Sequence, residues 1–394
     1  MQFQRKIYFD LLKRVEEPEI VVLTGMRQVG KTTVLRMVYS QIKNSNKVFL
    51  DMENPLDRKI FEEEDYNNVW ANLTGYGIRK DQKAYVFLDE IQAMPKIAGA
   101  MKYLYDHYQT KFFVSGSSSF YLKNLFSESL SGRKIIFELY PLDFSEFLQF
   151  KGRNIVFESN LLNKDHTKNA IVYEGLKKFY DEYVEFGGFP GVVTAPTNEY
   201  KKERLRDIFK SYFEKDVQIM ADFREINVFR DLLLLLLSRV GSKLDVSKLS
   251  REVGVTRETI YSYLSFLQGT YFMDLITIFS NSIDRRVSGA KKVYCIDTGL
   301  INCFAKVSEG SLFENSVYVN LRKYGPVNYY QKGRGSEIDF IIADLKIGIE
   351  VKSRGEKSDL KKLQNAGLDL GLSESFVVTR EFTNMPGFIP ALML

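Results

Sequence analysis

The residues best suited to chemistry lie in a glycine-rich segment near the N-terminus. Residues 25–32 read GMRQVGKT, fit the pattern G-x-x-x-x-G-K-[ST], and stand between an apolar run and a helical pattern. Glycines let such a loop curl so that its backbone N–H groups converge on phosphate, and the positive end of the following helix adds to them. The segment predicts a phosphate site formed by Gly25, Gln28, Val29, Gly30, Lys31, Thr32 and Thr33.

Two acidic residues end a second apolar run. Residues 84–88 read AYVFL and are followed by Asp89 and Glu90. An unbroken apolar run is typical of a strand that is buried on both faces of a parallel sheet. With Lys31 on the β- and γ-phosphates of ATP, we expect Thr32 and Asp89 to hold Mg²⁺ and Glu90 to polarise the attacking water. Two solvated acids at a strand end are the alternative.

A parallel sheet is needed to position these residues. Strands are predicted at 20–24, 47–51, 84–89, 112–115 and 134–138, with helical patterns between them. This alternation predicts a doubly wound α/β fold. Because ligands bind at the carboxyl ends of such strands, Ser117 or Ser118 could contact the γ-phosphate or the attacking water. A serine-rich turn that caps the next helix is the alternative for each.

Composition narrows the class of protein. The chain has 394 residues, enough for two or three domains, and only two cysteines, which argues against a disulfide framework or a zinc site. Its formal charge of +5 permits nucleic-acid binding without indicating it. The longest aliphatic run, 232–237, is too short to cross a bilayer, and the sequence opens without a signal-peptide pattern. We therefore expect a cytoplasmic protein with no membrane partner.

Several short sequence motifs along the chain occur together in one known group of proteins. Besides the phosphate loop they are LDEIQ at 88–92, VSGSSS at 114–119, LSGR at 130–133, FELYPLDFSEF at 137–147 and FGGFP at 186–190. In these the chain resembles AAA+ ATPases of the bacterial and archaeal predicted-ATPase group, which join an AAA+ core to a C-terminal domain of unknown function. The resemblance implies a sensor role for Ser117 and an arginine finger at Arg133. A finger acting in trans would require a homo-oligomer, and a local structural role for Arg133 is the alternative.

A helix-turn-helix is predicted over residues 246–268, with a turn at Gly254 and an N-cap at Thr256. The second helix buries Ile260, Leu264 and Leu267 and leaves Arg257, Glu258, Tyr261 and Ser262 toward solvent. Such a helix can read duplex DNA. It can also serve only as a spacer or a protein contact, and both interpretations stay open here.

The C-terminal quarter contains a third set of candidate residues. Strands predicted at 337–342 and 347–352 would bring Asp339, Glu350 and Lys352 together if they pair as a hairpin. The set resembles the D…E-x-K core of restriction-endonuclease-like nucleases, in which two acids hold Mg²⁺ and the lysine orients water. Glu314, in a predicted helix, matches the auxiliary acid of that fold. Salt-bridged strand residues are the alternative.

Together these patterns predict an α/β protein of four parts. They are an AAA+ P-loop core (1–147), a helical lid (148–225), a winged helix-turn-helix (226–285) and a restriction-endonuclease-like domain (286–394). The expected function is Mg²⁺-dependent binding and hydrolysis of ATP, coupled to duplex DNA through the C-terminal domains. Two alternatives stay open: a nucleotide-gated switch for a protein partner, and an ATPase with an active C-terminal nuclease.

Overall fold

The computed structural model describes residues 3–117, 132–217, 226–280, 282–332 and 337–394. The chain forms two compact units. The first contains residues 1–140 with 269–271, and the second contains residues 141–268 with 272–394. The four-part division predicted from the sequence is finer than this and stays a prediction.

The first unit is built on a five-stranded parallel sheet. Its strands are β1 (Ile20–Thr24), β2 (Lys47–Asp51), β3 (Ala84–Asp89), β4 (Thr110–Gly116) and β5 (Lys134–Glu138). Their order across the sheet is β2-β3-β4-β1-β5, and every neighbouring pair is parallel. The predicted strands are confirmed, with the fourth two residues longer at its start than expected.

Helices cover this sheet in the alternating order that the sequence predicts. They are α1 (Lys6–Lys13), α2 (Lys31–Gln41), α3 (Pro55–Lys59), α4 (Tyr66–Gly75) and α5 (Ile97–Tyr108). Every residue of β1, β3 and β4 is buried. Unbroken burial is what a strand covered on both faces requires, and it explains why β1 and β3 read as nearly continuous apolar runs.

The second unit begins with helices and continues into the predicted helix-turn-helix. The helices are α6 (Phe144–Phe150), α7 (Ala170–Phe186), α8 (Pro190–Val193), α9 (Asn198–Tyr212), α10 (Ile226–Leu237), α11 (Val246–Val253) and α12 (Arg257–Gly269). Gly254 ends α11 at a φ of 73°, and the Thr256 hydroxyl accepts a hydrogen bond from the Thr259 N–H at 3.2 Å. The two predicted helices and their turn are therefore confirmed, as is the burial of Ile260, Leu264 and Leu267.

A two-stranded antiparallel sheet follows this helix pair. It joins β6 (Met273–Ile276) to β7 (Lys292–Cys295), with the exposed helix α13 (Ile283–Ser288) in the connection. Two further helices, α14 (Thr298–Phe304) and α15 (Glu309–Leu321), lead into the last sheet.

The last sheet contains β8 (Val327–Gln331), β9 (Glu337–Ile342), β10 (Ile347–Lys352), β11 (Glu374–Thr379) and β12 (Phe388–Pro390). They lie in chain order, with β8, β9 and β10 antiparallel and β10, β11 and β12 parallel. Helix α16 (Lys357–Asp369) connects β10 to β11. The β9–β10 pair is the predicted hairpin, in which Phe340 is opposite Ile349.

Close backbone packing within the second unit explains the glycine at position 188 of the sequence FGGFP. The Gly188 N–H donates to the buried Asp297 carboxylate at 2.7 Å, and the Gly188 carbonyl accepts from the Leu142 N–H at 2.8 Å. A Cβ at Gly188 would lie 2.2 Å from the Leu142 carbonyl oxygen, so only glycine allows this approach. In the described part of the chain, no helix is both long and apolar enough to span a membrane.

Candidate active site

The glycine-rich segment forms a tight loop between β1 and α2. Gly25 has a φ of 150°, and a Cβ there would lie 2.0 Å from the Leu139 carbonyl oxygen. Gln28 adopts a φ of 64°, which a non-glycine residue accepts only under constraint, and Gly30 has a φ of 100°. Because Gly30 has no side chain with which to cap α2, the first N–H groups of this helix are available to a ligand. The backbone therefore has the shape that phosphate binding requires.

An arginine from outside the motif secures this loop. The Arg5 guanidinium, which is 5% exposed, donates to the Val29 carbonyl at 2.9 Å and to the Tyr140 carbonyl at 2.8 Å. Val29 is buried beneath the loop, whereas Thr33 is exposed on α2. Arg5 was missed in the sequence because its partners lie 24 and 135 residues away.

Lys31 lies within the loop and is 4% exposed. Its ammonium donates to the carbonyl oxygens of Gly25 at 2.9 Å and Met26 at 3.1 Å. The same nitrogen is 4.0 Å from Glu90 Oε1. The structure therefore brings the predicted phosphate lysine close to the predicted catalytic acid.

Asp89 ends β3 beside the start of α2. The hydroxyl groups of Ser115 and Thr32 both donate to its carboxylate, which is 4% exposed. Burial raises the pKa of Asp89, and these two hydrogen bonds act in the opposite direction. The Thr32–Asp89 contact joins the two residues that the sequence predicts as Mg²⁺ ligands.

Glu90 is held in an uncommon backbone conformation next to Asp89. Its φ is 52°, in the left-handed region, and its N–H donates to Ser115 Oγ at 3.1 Å. Its carboxylate accepts a hydrogen bond from the Gln92 side-chain amide, which also donates to Ser117 Oγ at 3.0 Å. Backbone strain of this kind often marks a functional position. The structure thus places Ser117 next to Gln92, and its role as a sensor stays a prediction. Ser115 and Gln92 were not predicted from the sequence.

Arg133 lies at the amino-terminal ends of the strands, whereas the phosphate loop lies at their carboxyl ends. It directly precedes β5, where Lys134 is in register with Ile20 at the start of β1, while the loop follows the end of β1. Its guanidinium pairs with Asp106 at 3.2 Å. Within one chain the structure does not bring Arg133 to the phosphate loop, so a role as a finger stays a prediction about a second copy. Ser118 lies outside the described residues.

In the second unit, the four predicted C-terminal residues contribute to one half-buried charge cluster. The Asp339 carboxylate accepts from the Val351 N–H at 2.8 Å, and Lys352 pairs with Glu350 at 2.6 Å. Glu314 accepts from the Tyr294 hydroxyl at 2.6 Å. Burial, and next the charge of Asp339, raise the pKa values of Glu314 and Glu350 to about 7.

Two residues that the sequence analysis missed complete this cluster. The Lys292 ammonium lies 2.9 Å from Glu337 and 3.9 Å from Glu314. Burial lowers the pKa of Lys292, but the surrounding carboxylates outweigh it and the pKa is raised. Among the described residues, no group of three or more His, Cys, Asp or Glu side chains is arranged to hold a metal ion. The cluster as it stands pairs acids with lysines, and a nuclease site at these residues stays a prediction.

Family models match three consecutive parts of the chain. Residues 17–148 match an AAA domain, residues 177–311 match a domain of unknown function (DUF8612), and residues 309–391 match another domain of unknown function (DUF4143). The expected combination of an AAA domain with a C-terminal domain of unknown function is confirmed at this level. None of the three descriptions assigns a nuclease.

Two relatives that match most of this chain are named as uncharacterized proteins. An uncharacterized protein of Methanocaldococcus jannaschii is 28% identical, over 90% of this chain and 80% of its own length. An uncharacterized protein of Haemophilus influenzae is 25% identical, over 90% of this chain and 89% of its own length. Among solved structures, the Walker-type ATPase of Pyrococcus abyssi aligns with a TM-score of 0.46 at 13% identity, covering 77% of this chain and 95% of its own. The ORC1 protein of Aeropyrum pernix, solved in complex with DNA, aligns with a TM-score of 0.33 at 13% identity. The alignment covers 80% of this chain and 94% of the ORC1 chain.

The raised pKa values in the C-terminal cluster predict a pH dependence of stability. A carboxyl group whose pKa is raised on folding binds its proton more tightly in the native state. Its contribution to stability is present below the unfolded pKa of about 4.5 and is lost as the pH rises through about 7. We expect the free energy of unfolding to fall less steeply between about pH 5 and about pH 8 in Glu314→Gln than in the unchanged protein.

Urea unfolding in the presence of EDTA measures this difference. Glu309→Gln, which changes an exposed glutamate on the same helix, is the matched control and should keep the original slope. Equal slopes in Glu314→Gln and the unchanged protein would contradict the assignment.

Proposed function

We propose that this protein binds ATP and hydrolyses it with the help of Mg²⁺. The observation that carries the proposal is the convergence of two separate segments at one edge of the parallel sheet. Lys31 and Glu90 approach to 4.0 Å, and Thr32 donates to Asp89. These groups are the ones that phosphoryl transfer to water requires, and they lie at the carboxyl ends of β1 and β3. The AAA match over residues 17–148 supports the same conclusion.

Each residue has a definite task in this reaction. The loop N–H groups and Lys31 bind the phosphates, and Thr32 and Asp89 are suited to hold Mg²⁺, which when bound neutralises phosphate charge. Glu90 accepts a proton from water as the water oxygen bonds to the γ-phosphorus. The bond from that phosphorus to the leaving oxygen breaks with its electron pair going to ADP, and the proton passes from Glu90 to the released phosphate.

Substitutions of Lys31 and Glu90 separate effects on ATP binding from effects on the rate of ATP hydrolysis. Lys31→Ala removes a charge-assisted contact to phosphate and should weaken ATP binding by roughly 10- to 100-fold. Glu90→Gln keeps the shape of the side chain but cannot accept the proton, so it should bind ATP normally and lower turnover by roughly 10²- to 10⁴-fold. Binding is measured with a fluorescent ATP analogue and turnover by phosphate release.

Two exposed residues of the first unit offer matched controls for these variants. Lys43→Ala and Glu62→Gln repeat the two chemical changes away from the loop. Both should behave as the unchanged protein does. Turnover of Glu90→Gln at the rate of its control would refute the role given to Glu90.

We further propose that the nucleotide state is coupled to duplex DNA through the second unit. Three helices, α10 to α12, are followed by the antiparallel pair β6 and β7, an order typical of winged-helix domains. The face of α12 predicted to lie toward solvent is exposed, and Tyr261 on it is 61% exposed. The connection between β6 and β7 adds Arg285 and Arg286, both exposed on α13. Exposed arginines beside an exposed helix suit phosphate contacts and base contacts respectively.

The salt dependence of duplex binding tests the DNA contact that this coupling requires. Each phosphate contact releases counterions. The logarithm of the DNA association constant should therefore fall linearly with the logarithm of the salt concentration, with a slope of about −0.9 per contact. Joint substitution of Arg257, Arg285 and Arg286 by alanine should flatten the slope by roughly 2 to 3 units, measured by fluorescence anisotropy of a labelled duplex.

The exposed pair Lys177 and Lys178 on α7, changed to alanine, controls for loss of charge alone. No binding to the duplex at low salt would instead favour a nucleotide-gated switch that acts on a protein partner. Cleavage by the C-terminal cluster is not part of the proposal.

A further inference from the structure

A glutamine side chain connects two of the residues around the proposed reaction centre. Gln92 lies in a short 3₁₀ turn, Ile91–Ala93, directly after Glu90. Its amide nitrogen donates to Glu90 Oε2 and, at 3.0 Å, to Ser117 Oγ. Its amide oxygen accepts from the Ser117 N–H at 3.4 Å. A primary amide has two N–H donors, so both are engaged by these contacts.

The two oxygens of the Glu90 carboxylate have different neighbours as a result. Oε2 accepts from Gln92, while Oε1 is the oxygen 4.0 Å from the Lys31 ammonium. The backbone of Glu90 is fixed separately, by its left-handed φ and by its N–H bond to Ser115. With the backbone held by Ser115, the remaining rotation of the carboxyl group is restricted by Gln92. Oε1 is thereby directed toward the side of the loop where phosphate would bind.

We infer that Gln92 is a positioning residue that couples the orientation of Glu90 to Ser117 at the end of β4. This inference rests on the proposed ATP hydrolysis. Ser117 lies where the strand ends approach the γ-phosphate, and Gln92 contacts both its hydroxyl and its backbone. A shift of Ser117 on contact with the γ-phosphate therefore moves the amide that holds Glu90. Gln92 acts through the Glu90 carboxylate that it holds, so its effect is on the rate of the chemical step and not on ATP affinity.

A double-mutant cycle tests this coupling. Gln92→Ala should lower kcat roughly tenfold, because misplacing a general base by a small distance costs about this much, while KM and ATP affinity stay within about twofold. In a Ser117→Ala background the hydroxyl that anchors the amide is already lost, and only the longer backbone N–H bond at this position, 3.4 Å, remains. Gln92→Ala should there cost less than about threefold. The same loss in both backgrounds would show that the two residues act independently and would overturn the inference.

A second variant distinguishes positioning from a merely structural role. Gln92→Glu keeps the length of the side chain but lacks the N–H donors that hold Glu90 and the Ser117 hydroxyl. It should lower kcat at least as much as Gln92→Ala, while KM and ATP affinity stay within about twofold. Turnover of Gln92→Glu at the unchanged rate would overturn the inference, and so would a loss of ATP affinity as large as the loss of kcat.

The outcomes separate this inference from the proposed function. Gln41→Ala, which changes an exposed glutamine at the end of α2, is the matched control and should leave kcat unchanged. Normal ATP affinity in each variant shows that the site is folded. No turnover by the unchanged protein would refute the proposed function. Normal turnover by both the unchanged protein and Gln92→Ala would refute only the role of Gln92.

Discussion

The position of β4 between β1 and β3 is the constraint on which the proposed reaction centre depends. Because the three strands are parallel, their carboxyl ends meet at one edge, where the loop follows β1, the acids follow β3 and Ser117 follows β4. The hydroxyl of Ser115, near the end of β4, then reaches both acids: it donates to Asp89 and accepts from the Glu90 N–H. One buried hydroxyl thus aligns the residue suited to hold metal with the residue suited to activate water.

The two charged sites of the chain solve the problem of buried charge in different ways. In the nucleotide site, Lys31 donates to neutral carbonyl groups and Asp89 accepts from neutral hydroxyl groups. Such contacts orient a charge without neutralising it, which suits a site that is completed by a charged ligand. In the C-terminal cluster, Lys292 and Lys352 lie against carboxylates of the same chain. The two ammonium groups only partly offset the four carboxylates of this cluster, which agrees with the raised pKa values of Glu314 and Glu350.

Much of the fold was predictable because its signals are local. The loop, the apolar strands, the helix-turn-helix and the C-terminal hairpin each occupy short segments whose spacing determines which residues are buried. The residues that were not predicted depend on long-range pairing. Ser115 contacts Asp89, 26 residues earlier in the chain, Gln92 contacts Ser117, 25 residues later, and Lys292 pairs with Glu337 across β7 and β9. Strand order and register decide these contacts, and neither can be obtained from spacing alone.

Phosphate release from ATP by the unchanged protein, measured in Mg²⁺ and again with excess EDTA, tests the central claim most directly. The account predicts turnover in Mg²⁺ that disappears when the metal is chelated, because Thr32 and Asp89 are suited to hold a divalent ion beside the phosphates. Equal phosphate release with and without EDTA would contradict the assignment of Thr32 and Asp89. Absence of release in Mg²⁺, with or without duplex DNA, would contradict hydrolysis itself.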